Sequence, residues 1–246
     1  MLIALLADIH ANREALAACL DDAERAGAGR YVFLGDLVGY GADPAWVIDQ
    51  VAGMVEQGAV VLRGNHDDAI GDPSDVMNAE AHQAIEWTKA ALDTPRKAFL
   101  AAMPLTVAEG ERLYVHASAA APHSWIYITN EMRAEQSMRA APHRLTFCGH
   151  THIPALFHAA PSTPPQRHRP VDGKATPLLA QRRWLAVLGA VGQPRDGNPA
   201  ACYGLLDDAR HTLTYVRVPY DVDLAARKIR QAGLPELLAA RLSMGI

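Results

Sequence analysis

Five polar clusters, each directly after a short apolar run, hold most of the side chains in this sequence that could bind a metal. The candidate ligands are two aspartates, one asparagine and four histidines: Asp8, His10, Asp36, Asn65, His116, His150 and His152. These donors are too many for one ion, whereas a bridging carboxylate would divide them between two divalent ions. Oxygen and imidazole donors without thiolate suit manganese best, with iron or zinc as alternatives, rather than magnesium or calcium. Two such ions about 3.5–4 Å apart can activate a water molecule and hold a phosphate for in-line displacement.

The elements that must position these clusters follow from hydrophobic periodicity. Strands are predicted at the apolar runs that precede the clusters, namely 2–7, 31–34, 59–62, 112–115 and 145–148. Amphipathic helical stretches separate them, and this alternation predicts an α/β fold. Because ligands gather beyond the carboxyl ends of strands in α/β sheets, the five clusters should converge on one crevice.

The second half of the chain carries fewer chemical signals. Residues 78–102 have helical periodicity, with Pro95 starting a second helix, and the stretch 159–177 is rich in proline and predicts an irregular surface excursion. Three later strands are predicted at 184–188, 201–206 and 211–218, and we expect them to form a second sheet. The tail from Asp221 onward is predicted to be helical.

The ordered clusters resemble the motifs of calcineurin-like metallophosphoesterases. The matching segments are Asp8-x-His10, Gly35-Asp36, Gly64-Asn65-His66-Asp67, His116 and Gly149-His150-x-His152. The resemblance implies that family's four-layer αββα sandwich with two mixed β-sheets, and we expect residues 1–246 to form a single domain.

The same resemblance implies a role for each matching residue. One metal would be held by Asp8, His10 and His152, and the other by Asn65, His116 and His150. Asp36 would bridge the two ions. His66 is similar to the family's histidine that stands beside the phosphate and stabilises charge or protonates the leaving oxygen. Asp67 would orient His66.

The second motif departs from that of the family's protein serine/threonine phosphatases. Residues 35–41 lack the arginine with which those enzymes grip phosphate, which disfavours a protein phosphatase. Arg13 and Arg195 are the candidate replacements, and Asn12 and Tyr40 are further candidate substrate contacts. The sequences of residues 7–12, 35–41 and 192–197 resemble those of the small bacterial phosphodiesterase branch. Some members of that branch act on nucleotides or dinucleoside polyphosphates.

Composition narrows the remaining possibilities. The net charge of −4 does not suggest a nucleic-acid partner, and no apolar run approaches the ~20 residues that span a bilayer. Three separated cysteines indicate neither a disulfide framework nor a thiolate site, so a reducing cytoplasm is expected. The oligomeric state is left open.

The sequence therefore predicts a hydrolase of small phosphate esters, nucleotides above all. The alternatives are a nuclease on short nucleic acids, a protein phosphatase and a non-catalytic scaffold of the same fold. The presence of every expected ligand together with His66 argues against the scaffold.

Overall fold

The fold is described from a computed structural model, which places residues 1–71 and 77–246. The strands are β1 (Leu2–Leu6), β2 (Ala28–Phe33), β3 (Val60–Val61), β4 (Thr106–Glu109), β5 (Arg112–Val115), β6 (Leu145–Cys148), β7 (Ala155–Ala159), β8 (Gln166–His168), β9 (Thr176–Pro177), β10 (Arg183–Val187), β11 (Ala201–Asp207) and β12 (Thr212–Val218). The helices are α1 (Arg13–Arg25), α2 (Pro44–Glu56), α3 (Asn65–Asp68), α4 (Ala79–Ala91), α5 (Thr94–Ala102), α6 (Glu131–Arg139), α7 (Val222–Gln231) and α8 (Glu236–Met244).

The strands form two mixed sheets. The first sheet has the order β3-β2-β1-β11-β12-β9, and the second has the order β4-β5-β6-β10-β7-β8. In the first sheet β1, β2 and β3 are parallel, whereas β11 runs antiparallel to β1. In the second sheet β5, β6 and β10 are parallel, and β4 and β7 flank them as antiparallel neighbours. Two mixed sheets were predicted, and the structure confirms them.

The prediction that the three late strands form the second sheet is wrong. Only β10 lies there, while β11 and β12 extend the first sheet beyond β1. The pairing of Leu5 with Gly204 joins residues far apart in sequence, and hydrophobic periodicity carries no information about such a partner. Three strands of the second sheet, β4, β7 and β8, were not predicted.

Alternating side chains place the core on both faces of the first sheet. Ile3 and Leu5 of β1 pack between the sheets with Phe147 of β6, whereas Ala4 and Leu6 face α1 and α2. The outer face of the second sheet packs against α6. The order is therefore helices, sheet, sheet, helix, which is the αββα sandwich that the sequence resemblance implied.

The proline-rich segment 159–177 contains two short strands within what was predicted to be an irregular excursion. β8 adds to the edge of the second sheet, and β9 pairs with β12 at the edge of the first sheet. The backbone N–H of Gly173 also donates to the Tyr215 carbonyl at 2.8 Å. The segment thus passes from one sheet to the other and closes one side of the sandwich.

The predicted helical tail is confirmed as α7 and α8, which pack together beside α1 and α4. The ammonium group of Lys228 on α7 donates to Glu14 and to Asp43, the residue before α2. This ion triad attaches the tail to the first turn of α1 and to the loop that follows β2. Within the described part of the chain, no helix combines the length and apolar character needed to cross a membrane.

Candidate metal centre

The predicted ligands converge where β1, β2, β3, β5 and β6 end. Donor atoms of two groups lie within 4.8 Å of one another: Asp8, His10, Asp36 and His152 in one group, and Asp36, His116 and His150 in the other. All of these residues are buried. The side-chain oxygen of Asn65 lies 3.3 Å from Nε2 of His116, and so adjoins the second group. The structure therefore brings all seven predicted ligands together.

Backbone carbonyls fix the orientation of all four imidazoles. Nδ1 of His10, His116 and His152 lies 3.0, 2.7 and 2.7 Å from the carbonyl oxygens of Val38, Leu34 and Gln193, respectively. Nε2 of His150 lies 2.9 Å from the Trp125 carbonyl oxygen. A ring nitrogen that donates to a carbonyl leaves the other nitrogen of the neutral ring with its lone pair free for a metal.

These free nitrogens face one another. Nε2 of His10 lies 3.1 Å from Nε2 of His152, and Nε2 of His116 lies 3.2 Å from Nδ1 of His150. Two lone pairs at such distances do not form a hydrogen bond, but they are the arrangement that a shared cation requires. The donor set therefore fits two divalent metal ions.

Asp36 lies between the two pairs of histidines. Its Oδ2 is 3.6 Å from Nε2 of His10 and 3.5 Å from Nε2 of His116. Its Oδ1 accepts the backbone N–H of His66 at 2.8 Å, which fixes the plane of the carboxylate. One oxygen of Asp36 can therefore serve both groups of ligands.

The charges in the pocket are unbalanced without cations. Burial raises the pKa of Asp8 to about 7. Burial opposes ionisation of Asp36 as well, but the imidazoles of His116 and His66 outweigh it and hold the pKa of this carboxyl group well below its usual range. The buried carboxyl groups of Asp8 and Asp36 thus need positive charge beside them, which a divalent ion would supply.

The backbone at the centre is held in an uncommon conformation. Five of the ligands have positive φ angles between 49° and 65°: Asp8, His10, Asp36, His150 and His152. Non-glycine residues adopt this region rarely, and each case costs of order 1–3 kcal/mol. Glycines provide the space around them, because a Cβ atom on Gly64 would overlap the Asp36 carboxylate and one on Gly149 would lie 2.6 Å from Oδ2 of Asp8.

Asp67 does not orient the His66 side chain as predicted. Its Oδ2 accepts the backbone N–H groups of Asp36 and Gly64 at 2.8 and 2.9 Å, and its Oδ1 accepts those of Leu37 and Val38 at 2.9 and 3.2 Å. Four N–H donors occupy both oxygens. Asp67 is therefore a positioning residue that ties the loop after β2 to the start of α3.

His66 lies beside the predicted metal ligands. Its ring centre is 4.8 Å from that of His10 and 4.4 Å from that of Tyr40. Its Nδ1 is buried and has no hydrogen-bond partner among the described residues. Burial lowers the pKa of His66 to about 4, so the ring is neutral near pH 7.

Two of the four predicted substrate contacts lie at the pocket. Tyr40 contacts His10, with 4.5 Å between ring centres, and the guanidinium of Arg195 stands 5.7 Å from the centre of the Tyr40 ring. Arg195 also donates to Oε1 of Gln193 at 3.0 Å. The Arg195 side chain is thereby held over the first group of ligands.

The other two predicted contacts are occupied elsewhere. The Asn12 amide caps α1 by accepting the Ala15 N–H, and it donates to the Gly192 carbonyl and the Tyr220 hydroxyl. Arg13 is exposed, and its guanidinium lies 4.9 Å from the centre of the Trp46 ring. Asn12 thus has a structural role, and Arg13 lies on the surface of α1.

Sequence reasoning missed three residues of the pocket. The carbonyl groups of Trp125 and Gln193 orient His150 and His152, and the Tyr127 ring stacks on His150 with 4.0 Å between centres and 21° between planes. Tyr127 is 49% exposed, so part of its surface faces the solvent above the centre. The only signal in the sequence was the position of Trp125 and Tyr127 in the loop after His116. The carbonyl contacts of Trp125 and Gln193 left no signal, because a backbone carbonyl does not depend on residue type.

Comparison with known proteins gave matches along the whole chain. The family model for the calcineurin-like phosphoesterase superfamily domain matches residues 1–210. An uncharacterised protein of Methanocaldococcus jannaschii is 34% identical over 258 residues, which cover 99% of this chain and 98% of that protein. The crystal structure of a metallophosphoesterase from Sphaerobacter thermophilus is 34% identical with a TM-score of 0.85, over 100% of this chain and 99% of that one. A hypothetical protein of Pyrococcus horikoshii OT3 shares the fold, with a TM-score of 0.82 at 19% identity over 100% and 98% of the two chains.

Proposed function

This chain belongs to the calcineurin-like phosphoesterase superfamily, a group of metal-dependent hydrolases, and from that premise we propose that it hydrolyses phosphodiester or phosphomonoester bonds of small molecules, nucleotides above all. The observation that carries the proposal is the convergence of four imidazole lone pairs on either side of Asp36. A set of donors that cannot hydrogen-bond to one another is best explained by bound cations.

The proposal assigns one metal to Asp8, His10 and His152, and the other to Asn65, His116 and His150, with Asp36 shared. Manganese is the proposed ion and iron or zinc the alternatives, because the donors are oxygens and imidazoles without thiolate. When bound, two such ions supply Lewis acidity toward phosphoryl oxygens and lower the pKa of a water molecule.

Side chains around the ligands supply the remaining functions. Arg195, whose guanidinium lies over Tyr40, offers a charged donor to a phosphoryl oxygen. His66 is neutral in the pocket, and the negative charge of a bound phosphate raises its pKa toward the range in which it can protonate the leaving oxygen. Asp67, Asn12 and Arg13 have no direct part in this proposal, since the contacts of the first two are structural and Arg13 stacks on Trp46.

We also propose a compartment, a partner and a domain organisation for this protein. The three cysteines are free and buried, which agrees with a reducing cytoplasm. The proposed partner is a small phosphate ester rather than a nucleic acid, since the net charge is −4. We treat residues 1–246 as one domain, because Lys228 of α7 pairs with Glu14 and Asp43 next to the centre.

A substrate screen tests this function. Purified protein loaded with manganese should be assayed against mononucleotides, cyclic nucleotides, dinucleoside polyphosphates and a phosphopeptide, with the Asp36→Asn variant as background. We expect hydrolysis of at least one nucleotide class by the wild type and none by the variant. Equal rates in the two proteins would exclude the assigned centre, and preference for the phosphopeptide would exclude the proposed substrate class.

A further inference from the structure

Tyr127 presents an aromatic face to the solvent beside the metal centre. Its ring stacks on His150 with 4.0 Å between ring centres and 21° between planes, yet the residue is 49% exposed. Because His150 covers one face of the ring, the exposed part belongs to the opposite face, which we call the outer face of Tyr127. All phenylalanine, tryptophan and tyrosine residues lie in 1–71 and 77–246, and Tyr127 is the only exposed one among them. The outer face therefore differs from every other aromatic surface of the chain.

The exposure of Tyr127 does not come from a loose loop. Trp125, two residues earlier, has a φ of 49°, and its carbonyl oxygen lies 2.9 Å from Nε2 of His150. Such a conformation persists in a non-glycine residue only where the surroundings fix it. Ile128, the next residue, is 2% exposed and belongs to the buried cluster that contains Val115. Tyr127 is thus held between two anchored residues, and its ring is fixed before any ligand arrives.

The other tyrosine at the metal centre has no free face. Tyr40 is 6% exposed, and its ring contacts His10 and His66 with 4.5 and 4.4 Å between ring centres. The guanidinium of Arg195 lies 5.7 Å from the centre of the Tyr40 ring and donates to the Tyr40 hydroxyl at 3.4 Å. The neighbours of Tyr40 are therefore protein groups, whereas the outer face of Tyr127 is available to a ligand.

We propose that Tyr127 is a specificity-determining residue, whose outer face stacks on a planar ring in the organic part of the substrate, a nucleobase in a nucleotide. The inference rests on the proposed function, because the phosphate of the same ester would bind beside His150. In a nucleotide the sugar separates the base from the phosphate, so a base on the outer face leaves the phosphate free to reach the metal ligands. Every base has a π face, and stacking on an aromatic side chain therefore tolerates all of them. Tyr127 should thus favour nucleoside esters over esters without a ring, and should not select among bases.

Binding of two phosphonates tests this role without hydrolysis. The first is the analogue of adenosine 5′-monophosphate that has CH₂ in place of the ester oxygen, and the second is methylphosphonate, which has no ring. Each should be titrated into manganese-loaded, full-length protein by calorimetry. The wild type should bind the nucleoside phosphonate about tenfold or more tightly than methylphosphonate. Tyr127→Phe should keep this preference, because it keeps the ring, and Tyr127→Leu should lose most of it while still covering His150.

Met132→Ala is the matched control for this titration. Met132 is 57% exposed and lies on α6, a few residues beyond Tyr127, so the variant removes an exposed apolar side chain from the same region. It should keep the wild-type preference. An undiminished preference in Tyr127→Leu, or an equal loss in Tyr127→Phe or Met132→Ala, would overturn the proposal. Loss of manganese from Tyr127→Leu, measured by elemental analysis, would overturn it as well, because Tyr127 would then act as a structural cover for His150.

Kinetics separate this inference from the proposed function. Adenosine 5′-monophosphate and ribose 5-phosphate share the ester bond and the sugar and differ only in the base. Tyr127→Leu should lower kcat/KM about tenfold or more for the nucleotide and leave that for the sugar phosphate unchanged. The loss should appear in KM rather than in kcat, because the base is remote from the reacting bond. Equal losses on both substrates would overturn the role of Tyr127 while leaving hydrolysis intact. If the wild type hydrolyses neither compound and the substrate screen is also negative, the proposed function fails, and the phosphonate titration still decides the role of Tyr127.

Discussion

The carboxylate of Asp67 accepts the backbone N–H of Asp36 at 2.8 Å, and in this way a residue outside the ligand set fixes the one carboxylate that faces both groups of histidines. Replacing Asp67 by Asn would put an NH₂ group against backbone N–H donors. We expect the free energy of unfolding to fall by about 1–3 kcal/mol, because buried donors lose their acceptor. Metal occupancy should fall as well. Denaturant unfolding and elemental analysis would measure both. Glu56→Gln, which changes an exposed carboxylate at the end of α2, should alter neither. Wild-type stability and occupancy for Asp67→Asn would contradict the role given to this residue.

Removing the metals should lower the melting temperature. The pocket keeps buried carboxylates and facing lone pairs, so ions that bind only the folded chain stabilise it, by about 2.7 kcal/mol at a concentration 100 times Kd. For a chain of this size that corresponds to roughly 5–10 °C. Calorimetric scans of chelated and manganese-loaded protein would show the difference. The Asp36→Asn variant should show a much smaller difference; an identical one would count against Asp36 as a shared ligand.

His66→Ala should lose turnover while retaining metals. Nδ1 of His66 has no hydrogen-bond partner among the described residues, so removing the ring breaks no hydrogen bond from this atom to a predicted metal ligand. Removal of an acid–base group typically lowers kcat about 10²–10⁴-fold. Steady-state rates and elemental analysis of the same preparation test this. His82→Ala, at an exposed position on α4, is the comparison and should behave as wild type. Loss of metal from His66→Ala would instead make His66 part of the ligand framework.

Arg195 and Arg13 offer a direct contrast between the two predicted phosphate contacts. Arg195→Gln should reduce kcat/KM roughly 10–100-fold, because a hydrogen bond from a charged donor contributes about 1.5–3 kcal/mol. Arg13→Gln should have no comparable effect, since Arg13 stacks on Trp46. Kinetics on one small phosphodiester would compare them. The reverse ranking would show that α1 rather than the loop after Gly192 faces the substrate.

Gly64→Ala should disrupt the centre, whereas Gly53→Ala should not. A Cβ on Gly64 overlaps the Asp36 carboxylate and would displace it, but a Cβ on Gly53 in α2 meets no atom within 4 Å. In the helix, alanine is favoured over glycine by about 0.5–1 kcal/mol. We therefore expect reduced metal binding and stability for Gly64→Ala and slightly raised stability for Gly53→Ala, measured by metal titration and denaturant unfolding. Full metal occupancy in Gly64→Ala would show that the loop can yield at this position.

The convergence of the candidate ligands could be predicted from sequence, because each one stands just after a short apolar run. The structure brings Asp8, Asp36 and His116 together because β1, β2 and β5 all end at the same side of the sandwich. The carboxyl ends of strands meet there, so local patterns were enough to expect the convergence.

What could not be predicted depends on pairing and on backbone geometry. The placement of β11 beside β1 is decided by packing between distant segments. Asp67 accepts four backbone N–H groups only because the loop after β2 folds back onto it. Its position next to His66 in the sequence had suggested instead that it orients the His66 side chain. Tyr127 reaches His150 through a loop with no repeating pattern.

Because Leu5 pairs with Gly204, β1 can pair with β11 only after most of the chain has been synthesised on the ribosome. β1 leaves the exit tunnel early, but its partner β11 is about 200 residues behind, a delay of roughly 10–40 s at 5–20 residues per second. During that interval the edge of β1 that later pairs with β11 has no partner, and its unpaired backbone N–H and C=O groups can pair with another chain.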